Sequence, residues 1–269
     1  MFGFDQADGL RKMVLGTMRR KEACRGRIIS ISSGKGGVGK TFISLNLSIV
    51  LGAMKMKTLI FDADLGLANV DIMLGINPAR NLEDYIRGGI PLEDLLMDIA
   101  PGVSLISGAN GIWELANMVR TERERLMGAI EGLRDMFDVI IVDTAAGIDE
   151  HVMDFNLMAD DLILVITPDP TSLTDGYAVA KLIARGKERP NIHLLVNMAE
   201  VEEAKIVSDT FLRVVKAFLG VDVVPLGFIP FDKEVERAVR RQIPLALNGR
   251  RSQALESIER IAARLIGRG

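Results

Sequence analysis

The residues best suited to chemistry lie in one glycine-rich stretch near the amino terminus. Gly34, Gly39, Lys40 and Thr41 occupy every fixed position of the phosphate-binding template G-x-x-x-x-G-K-[ST]. Glycines let the backbone turn tightly and point successive N–H groups inward, where they can bind phosphate oxygens. At this spacing the lysine contacts the β and γ phosphates, and the following hydroxyl ligates Mg2+. The predicted phosphate-binding residues are Gly34, Lys35, Gly36, Gly37, Val38, Gly39, Lys40 and Thr41.

The elements around this loop are those that would position a phosphate. Apolar residues 28–31 predict a buried strand before the loop, and residues 41–54 have a helical pattern after it. In this order the phosphate lies at the amino-terminal end of the helix, where free N–H groups and the helix dipole favour negative charge. The sequence therefore predicts a P-loop nucleotide site.

Three aspartates follow two further predicted strands. Residues 57–61 lead into Asp62 and Asp64, and residues 137–142 lead into Asp143. Because the carboxyl ends of parallel strands share one edge of a sheet, we expect these carboxylates beside the phosphate loop. Residues two apart on a strand share a face, so Asp62 and Asp64 can both approach Mg2+ and an attacking water. Asp143 has the Walker B position and is expected to hold a ligand of the metal, a water molecule.

Composition limits the fold and the class of partner. Strand-like and helix-like stretches alternate along 269 residues without a low-complexity linker, and 48% of the residues are hydrophobic. This pattern predicts an α/β fold: a single P-loop domain with a doubly wound, mostly parallel sheet flanked by helices on both faces. The net charge of −3 argues against direct binding of nucleic acid, and the single cysteine, Cys24, is typical of a cytoplasmic protein. No apolar run reaches the ~18 residues that a membrane span needs.

Lys35 gives the loop a second lysine, within the run Lys-Gly-Gly-Val-Gly-Lys-Thr. This run resembles the deviant Walker A motif of the MinD/ParA group of ATPases. The resemblance implies ATP and Mg2+ as cofactors and a homodimer that forms when ATP is bound. In that group the early lysine, here Lys35, crosses the dimer interface to the phosphates of the other subunit. The expected catalytic residues are therefore Lys35, Lys40 and Asp64.

The same resemblance assigns the residues around the metal. It implies that Asp64 positions the hydrolytic water and that Asp62 lies in the outer shell of the metal, whose site Thr41 and Asp143 complete. Iron–sulfur relatives of this group share a cluster through paired cysteines after the P-loop, and the sequence has none there. The chain is thus expected to be an ATPase without an iron–sulfur cluster.

The base-binding residues are also implied by the resemblance. A GTPase would have Asn-Lys-x-Asp at the end of predicted strand 192–197, but Met198 and Glu200 replace the lysine and the aspartate. Asn197 is therefore assigned to the edge of adenine. The resemblance also implies that a Pro-x-Asp segment closes over the adenine; it comprises Pro230, Phe231 and Asp232.

Two further stretches resemble the flagellar branch of the MinD-like ATPases, which are called FlhG, YlxH or FleN. The first is Asp-Gln-Ala-x-x-Leu-Arg over residues 5–11, and the second covers residues 111–118. In that branch the amino-terminal tail engages and stimulates the GTPase FlhF. The resemblance thus implies control of flagellar number and placement, through FlhF and residues 1–27 or through an NtrC-type flagellar transcription activator.

The chain is expected to comprise three parts. Residues 1–27 form a basic extension, residues 28–249 the ATPase domain and residues 250–269 an amphipathic helix. Apolar residues recur at helical spacing in this last segment with arginines beside them, so it can lie on an anionic membrane as in MinD and FlhG or pack on the sheet. The first alternative implies a cytoplasmic protein that binds the inner face of the cell membrane reversibly.

Two other functions fit the sequence. A cell-division MinD would share the whole nucleotide site, although it would begin almost directly at the first strand and would lack residues 1–27. The protein could also act chiefly as a binding module that sequesters a transcription factor, with slow or incidental hydrolysis. Lys35 and Asp64 favour a working ATPase over this second alternative.

Overall fold

The computed structural model describes residues 25–65, 69–108, 118–186 and 189–267. The predicted partner tail up to residue 24 and most of the stretch 111–118 lie outside these residues. The described part of the chain is built on one eight-stranded sheet. Its strands are β1 (Arg27–Ser33), β2 (Thr58–Ala63), β3 (Met97–Ala100), β4 (Val103–Ile106), β5 (Val139–Ala146), β6 (Asp161–Ile166), β7 (Asn191–Asn197) and β8 (Val223–Ile229).

The strands lie in the order β3-β4-β2-β5-β1-β6-β7-β8. All neighbours pair in parallel except β3 and β4, which are antiparallel. The chain therefore starts in the middle of the sheet, builds one side and then returns to build the other. Ligands bind at such a reversal, outside the carboxyl ends of the strands, and here the residues after β1 occupy that position.

Nine α-helices cover the two faces of the sheet in the described residues. They are α1 (Lys40–Ala53), α2 (Val70–Leu74), α3 (Leu82–Gly88), α4 (Arg120–Gly132), α5 (Glu150–Met158), α6 (Pro170–Ile183), α7 (Val201–Leu219), α8 (Lys233–Arg241) and α9 (Gln253–Leu265). Helices α1, α2, α8 and α9 pack on one face, and α3 to α7 pack on the other. The predicted doubly wound α/β fold is confirmed.

The core follows from the alternation of side chains along buried strands. Ile28 points to the face covered by α3 to α5, whereas Ile29 and Ile31 point to the face covered by α1 and α9. Strands β2 and β6 are buried on both faces, and apart from Thr58, Asp62 and Asp161 their residues are apolar. Parallel sheets covered by helices on both sides have this composition.

Capping residues fix the start of the helices nearest the site. The side chain of Asp169 accepts a hydrogen bond from the N–H of Ser172 and precedes Pro170, a favoured first helical residue, so α6 begins there. The side chain of Asp232 likewise accepts from the N–H of Glu234 at the start of α8. These two loops face the nucleotide site, and their backbones are held by the caps.

Both outer strands of the sheet are unusual. The strand β3 is only four residues long, and the sequence did not predict it. The other outer strand, β8, contains Pro225, which has no N–H to donate, and its pairing with β7 shifts register between Leu194 and Leu195. Neither edge therefore offers a long regular row of backbone hydrogen-bonding groups.

The carboxy-terminal helix packs against the sheet. Ile258, Ile261 and Leu265 are buried in the same core cluster as residues of α1 and β8. The backbone oxygen of Leu265 accepts a hydrogen bond from Arg27 Nη1 at 2.6 Å, which ties the end of α9 to the start of β1. Of the two predicted placements, the structure has the packed one, so this apolar face is not available to lipid. No helix among the described residues is long and apolar enough to cross a membrane.

Candidate functional site

The phosphate loop joins the end of β1 to the start of α1, as predicted. Gly37 and Gly39 have φ values of 78° and 91°, which a residue with a side chain rarely adopts. The Ser33 hydroxyl donates to the backbone oxygen of Lys35 at 2.7 Å and accepts from Lys40 Nζ at 3.1 Å. These bonds hold the base of the loop and aim the Lys40 ammonium under it.

Asn197, at the end of β7, also supports the loop. Its Nδ2 donates to the backbone oxygen of Val38 at 2.7 Å, and a Cβ added to Gly39 would lie 2.5 Å from this nitrogen. The amide therefore fills the space that a side chain at position 39 would need. The predicted contact of Asn197 with adenine stays a prediction, and the structure adds a second role in positioning the phosphate loop.

Lys40 and Asp143 form the buried centre of the site. The Lys40 side chain is buried beneath the loop, and burial lowers the pKa of its ammonium although the charges of Asp143 and Asp64 oppose this shift. Ser44 Oγ donates to Asp143 Oδ1 at 2.8 Å. Burial raises the pKa of Asp143 to about 6, against the opposing effects of the Thr41 and Ser44 hydroxyls and Lys40. A charged carboxylate is therefore held here at a cost in free energy.

The donor set around Asp143 fits a divalent cation. Asp143 Oδ2 is buried and has no hydrogen-bond partner in the part of the chain that the structure describes. The Thr41 hydroxyl is close enough to the carboxyl to influence its pKa. Hard oxygen ligands of this type are preferred by Mg2+, which commonly keeps several of its waters.

Asp62 lies next to Asp143 in the sheet, and its carboxylate holds a loop. Oδ1 accepts from the N–H of Asp64 at 3.1 Å, and Oδ2 accepts from the N–H groups of Asn69 and Val70 at 3.0 and 3.2 Å. Burial, followed by the charge of Asp143, raises the pKa of Asp62 well above its ordinary value, and the three backbone N–H groups oppose the shift. The outer-shell role of Asp62 stays a prediction, and its observed contacts hold the backbone of Asp64, Asn69 and Val70.

Asp64 stands at the start of this segment, directly after β2. Its backbone is anchored by Asp62, and Asn69 Nδ2 lies 3.5 Å from its Oδ2. Its charge affects the pKa values of both Lys40 and Asp143, so the carboxylate faces the predicted metal and phosphate sites. The arrangement brings together the residues that the sequence placed at the reacting end of the nucleotide.

Lys35 turns away from the centre of its own loop. Its Nζ donates to Asp169 Oδ1 at 3.0 Å and to Thr171 Oγ1 at 2.8 Å, at the start of α6. The two charged side chains are 43% and 40% exposed, so the ion pair lies at the surface. Sequence reasoning did not predict this contact, which joins residues 134 positions apart.

A cavity of about 280 Å3, here called the base cavity, lies beside the phosphate loop and has mainly apolar walls. The predicted residues Asn197, Pro230, Phe231 and Asp232 all line it. The lining also includes Phe42, Met198 and Val235, for which the sequence indicated no role at the base. Such a cavity suits the flat apolar faces of a nucleobase.

Asp232 has a structural role in addition to the predicted one at the adenine, which stays a prediction. Its Oδ1 accepts from the N–H of Glu234 at 2.9 Å, and its Oδ2 accepts from Ser252 Oγ at 2.6 Å and the N–H of Ala254 at 3.3 Å. The carboxylate thus caps α8 and fastens the start of α9. It forms part of the cavity wall, while its oxygens are engaged by the protein.

Most of the chain matches a known protein family. The ParA family model, described as NUBPL iron-transfer P-loop NTPase, matches residues 25–266. The chain belongs to the ParA family. It is therefore a P-loop ATPase of the MinD/ParA type, as the loop residues predicted.

Flagellar proteins are among the relatives of this ParA-family chain. It is 38% identical to the antiactivator FleN of Pseudomonas aeruginosa, over 80% of the chain and 78% of FleN. It is 33% identical to the flagellum site-determining protein YlxH of Helicobacter pylori, over 90% of the chain and 82% of YlxH. The predicted resemblance to the FleN and YlxH branch is confirmed.

Solved structures of cell-division proteins share the fold of the ParA-family chain. The septum site-determining protein MinD of Pyrococcus horikoshii, complexed with Mg-ADP, superposes with a TM-score of 0.76 at 29% identity. The match covers 89% of this chain and 96% of that protein. The predicted cofactors, ATP and Mg2+, agree with this relative.

Proposed function

We propose that this chain is a Mg2+-dependent ATPase switch that forms a homodimer with ATP, returns to a monomer with ADP or without nucleotide, and controls flagellar number and placement. The observation that carries the ATPase part is the convergence of Lys40, Thr41 and Asp143 at the phosphate loop, with a buried carboxylate oxygen left unpaired. The flagellar part rests on similarity to FleN and YlxH. The protein is proposed to act in the cytoplasm.

The residues of the chain divide the work of hydrolysis between binding and orientation. The loop N–H groups and Lys40 bind the phosphates, and the aligned amide groups of α1 add a positive field. Thr41 and Asp143 would hold Mg2+, which supplies positive charge to the oxygens of the phosphate chain when it is bound. Asp64 orients a water towards the terminal phosphate. Its backbone is held by Asp62, which keeps the carboxylate in place for this role. Catalysis of this kind depends on positioning and charge neutralisation.

The switch depends on the two loops that leave β2 and β5. Asp62 ties the backbone of Asp64, Asn69 and Val70 to the sheet, so a shift at the terminal phosphate is transmitted to the start of α2. Loss of a γ phosphate commonly releases loops of this type. Lys35 must leave Asp169 and Thr171 to reach the phosphates of a second subunit, and ATP in that subunit supplies the competing negative charge.

The proposed partners are those of the flagellar branch. Residues 1–27 are proposed to stimulate the FlhF GTPase, and the dimer to restrain an NtrC-type flagellar transcription activator. Similarity to the antiactivator FleN supports the second of these partners. A cell-division role is the alternative that the MinD structures support.

Light scattering of the purified protein with ADP, and with ATP and Mg2+, tests the switch. A dimer that forms only with ATP and disappears as ATP is hydrolysed supports the proposal, and a single oligomeric state under both conditions contradicts it. FlhF is then added and GTP hydrolysis is followed with the full chain and with a chain that begins at residue 25, which keeps β1 and Arg27 complete. Faster GTP turnover with the full chain alone supports the flagellar function, whereas no change with either chain contradicts the proposed contact with FlhF.

A further inference from the structure

A cleft beside α8 combines positive charge with exposed apolar side chains. It encloses about 330 Å3 between α8 and residues 243–250, and it shares no lining residue with the base cavity. Its rim carries Arg237, Arg241 and Arg250, and its apolar wall consists of Ile243 and Leu247. We call this feature the arginine cleft.

The charges in the arginine cleft are unbalanced. Glu234 is the one carboxylate in its lining, and it is shared by Arg237 and by Arg250, whose Nη1 lies 3.2 Å from its Oε2. Arg241 has no hydrogen-bond or ion-pair partner in the part of the chain that the structure describes. Three guanidinium groups and one carboxylate therefore leave two positive charges facing the same space.

The apolar wall of the cleft is rigid and accessible. Ile243 and Leu247 are 45% and 46% exposed although both are large aliphatic side chains. The turn between them is fixed, because Leu245 is buried in the core and the N–H of Ala246 donates to Asn46 Oδ1 of α1 at 2.9 Å. Both side chains line the same recess as the three arginines, so a partner that fills it would cover apolar and charged surface together.

We infer that the arginine cleft binds an acidic amphipathic segment of another protein. Carboxylates of the segment would form charge-assisted hydrogen bonds with the three arginines, while an apolar side chain would enter the cleft against Ile243 and Leu247. A lipid bilayer fits less well, because insertion requires apolar side chains that protrude, and these two line a recess. Nucleic acid fits less well because its phosphates gain nothing from two exposed aliphatic side chains.

The position of α8 links the arginine cleft to the nucleotide. Asp232 lines the base cavity and caps α8 through the N–H of Glu234, the residue that two cleft arginines share. At the other end of α8, Gln242 Nε2 donates to the backbone oxygen of Ile72 at 2.7 Å, in the helix that follows the loop held by Asp62. A partner in the cleft would therefore contact a helix that borders the base cavity at one end and is bonded to α2 at the other.

The probe for this inference is a fluorescein-labelled synthetic helical peptide with glutamates on one face and leucines on the other. A control peptide has the same composition with the leucines dispersed. Anisotropy titrations use the full-length chain, Arg241→Glu, Leu247→Ala and, as a charge-matched control on the opposite face of the sheet, Arg213→Glu. Circular dichroism checks that each variant is folded, and ATP hydrolysis is followed to confirm that the nucleotide site is intact.

We expect the amphipathic peptide to bind the wild-type chain and Arg213→Glu equally, and Arg241→Glu and Leu247→Ala about tenfold more weakly or worse. Equal binding of both peptides, or unchanged binding by Arg241→Glu, would overturn the inference. Vesicles of phosphatidylglycerol and a duplex DNA are titrated in parallel. If either one binds through Arg241 while the peptide does not, the cleft serves that other partner and the inference is wrong.

Discussion

Asp62 and Asp143 lie opposite each other on the neighbouring parallel strands β2 and β5, and both carboxylates are buried. The nearest buried cation is Lys40, so the centre of the site contains more negative than positive charge when Asp64 is included. Burial is the largest cause that raises the pKa of both aspartates, and the charge of a neighbouring carboxylate raises each of them further. A bound divalent cation would offset the excess negative charge of these two carboxylates.

Replacing Asp143 by asparagine should stabilise the protein without ligands. The pKa of Asp143 rises from 3.8 to about 6 on folding, so between these values the folded state binds more protons than the unfolded state. Its contribution to the free energy of unfolding therefore falls as the pH rises through this window, and the full cost is present above about pH 6. We expect Asp143→Asn to gain about 2–3 kcal/mol at pH 7.5, measured by urea unfolding.

The same variant should lose Mg2+-dependent ATP hydrolysis, because the unpaired carboxylate oxygen is gone. Its stability gain should shrink when unfolding is measured at pH 4.5, since both states then carry more of the proton. Asp135→Asn, at an exposed position, is the control and should show no such pH-dependent gain. An equal gain at both pH values would show that burial of charge at Asp143 is not the cause.

Lys35→Ala should leave the monomer almost as stable as the wild type and prevent the ATP-dependent dimer. The ion pair with Asp169 is more than a third exposed on both sides, so its loss should change the free energy of unfolding by less than about 1 kcal/mol. Light scattering with ATP and Mg2+ measures the dimer, and calorimetry with ATP confirms that nucleotide still binds. If Lys35→Ala forms the dimer as strongly as the wild type, Lys35 does not make the proposed contact with the other subunit.

Asp64→Ala should bind ATP and remain a dimer, because the water is no longer oriented and the γ phosphate persists. We expect hydrolysis to fall by about a hundredfold, as for loss of a well-placed catalytic base. The measurement combines phosphate release with light scattering over the same time course. A variant that hydrolyses at the wild-type rate, or stays monomeric with ATP, would contradict the role of Asp64.

Gly39→Ala should destabilise the protein and abolish nucleotide binding. The backbone there has a φ of 91°, and the new Cβ would lie 2.5 Å from Asn197 Nδ2. The strain and the displaced amide together should cost about 2 kcal/mol or more. Gly128→Ala is the control, since a Cβ at that helical position meets nothing within 4 Å. Wild-type ATP affinity in Gly39→Ala would show that the loop tolerates the side chain.

Ile258→Ala should destabilise the chain by about 2–5 kcal/mol, because it opens a cavity between α9, α1 and the sheet. Chemical unfolding measures this loss, with Glu256→Ala, exposed on the same helix, as the control. A change within about 0.5 kcal/mol would show that α9 is not part of the core and would reopen the lipid-facing alternative.

The sequence predicted those parts of the site whose chemistry depends on local spacing. Gly34, Lys40 and Thr41 are recognisable because one tight turn needs these residue types in this order. Asp62 and Asp143 were found because buried parallel strands end at a common edge. The doubly wound fold followed from the alternation of strand-like and helix-like stretches.

Contacts between distant residues could not be predicted in this way. The pair of Lys35 with Asp169, and the bond of Asn197 to the phosphate loop, join segments that only the folded sheet brings together. The bonds by which the Asp232 carboxylate caps α8 and holds α9 could not be predicted either, because they depend on how the two helices meet. Strand β3 was missed because its four residues, three half-buried and one exposed, are too few to show a clear alternation.

The two outer strands have a consequence for how copies of this chain can meet. An exposed strand normally invites another chain to extend the sheet, and such growth has no natural end. Here β3 is short and β8 is interrupted by Pro225, so neither edge is a good template. Copies of the chain are therefore expected to associate through surfaces other than the sheet edges, and the proposed ATP-dependent dimer needs such surfaces because it must also come apart.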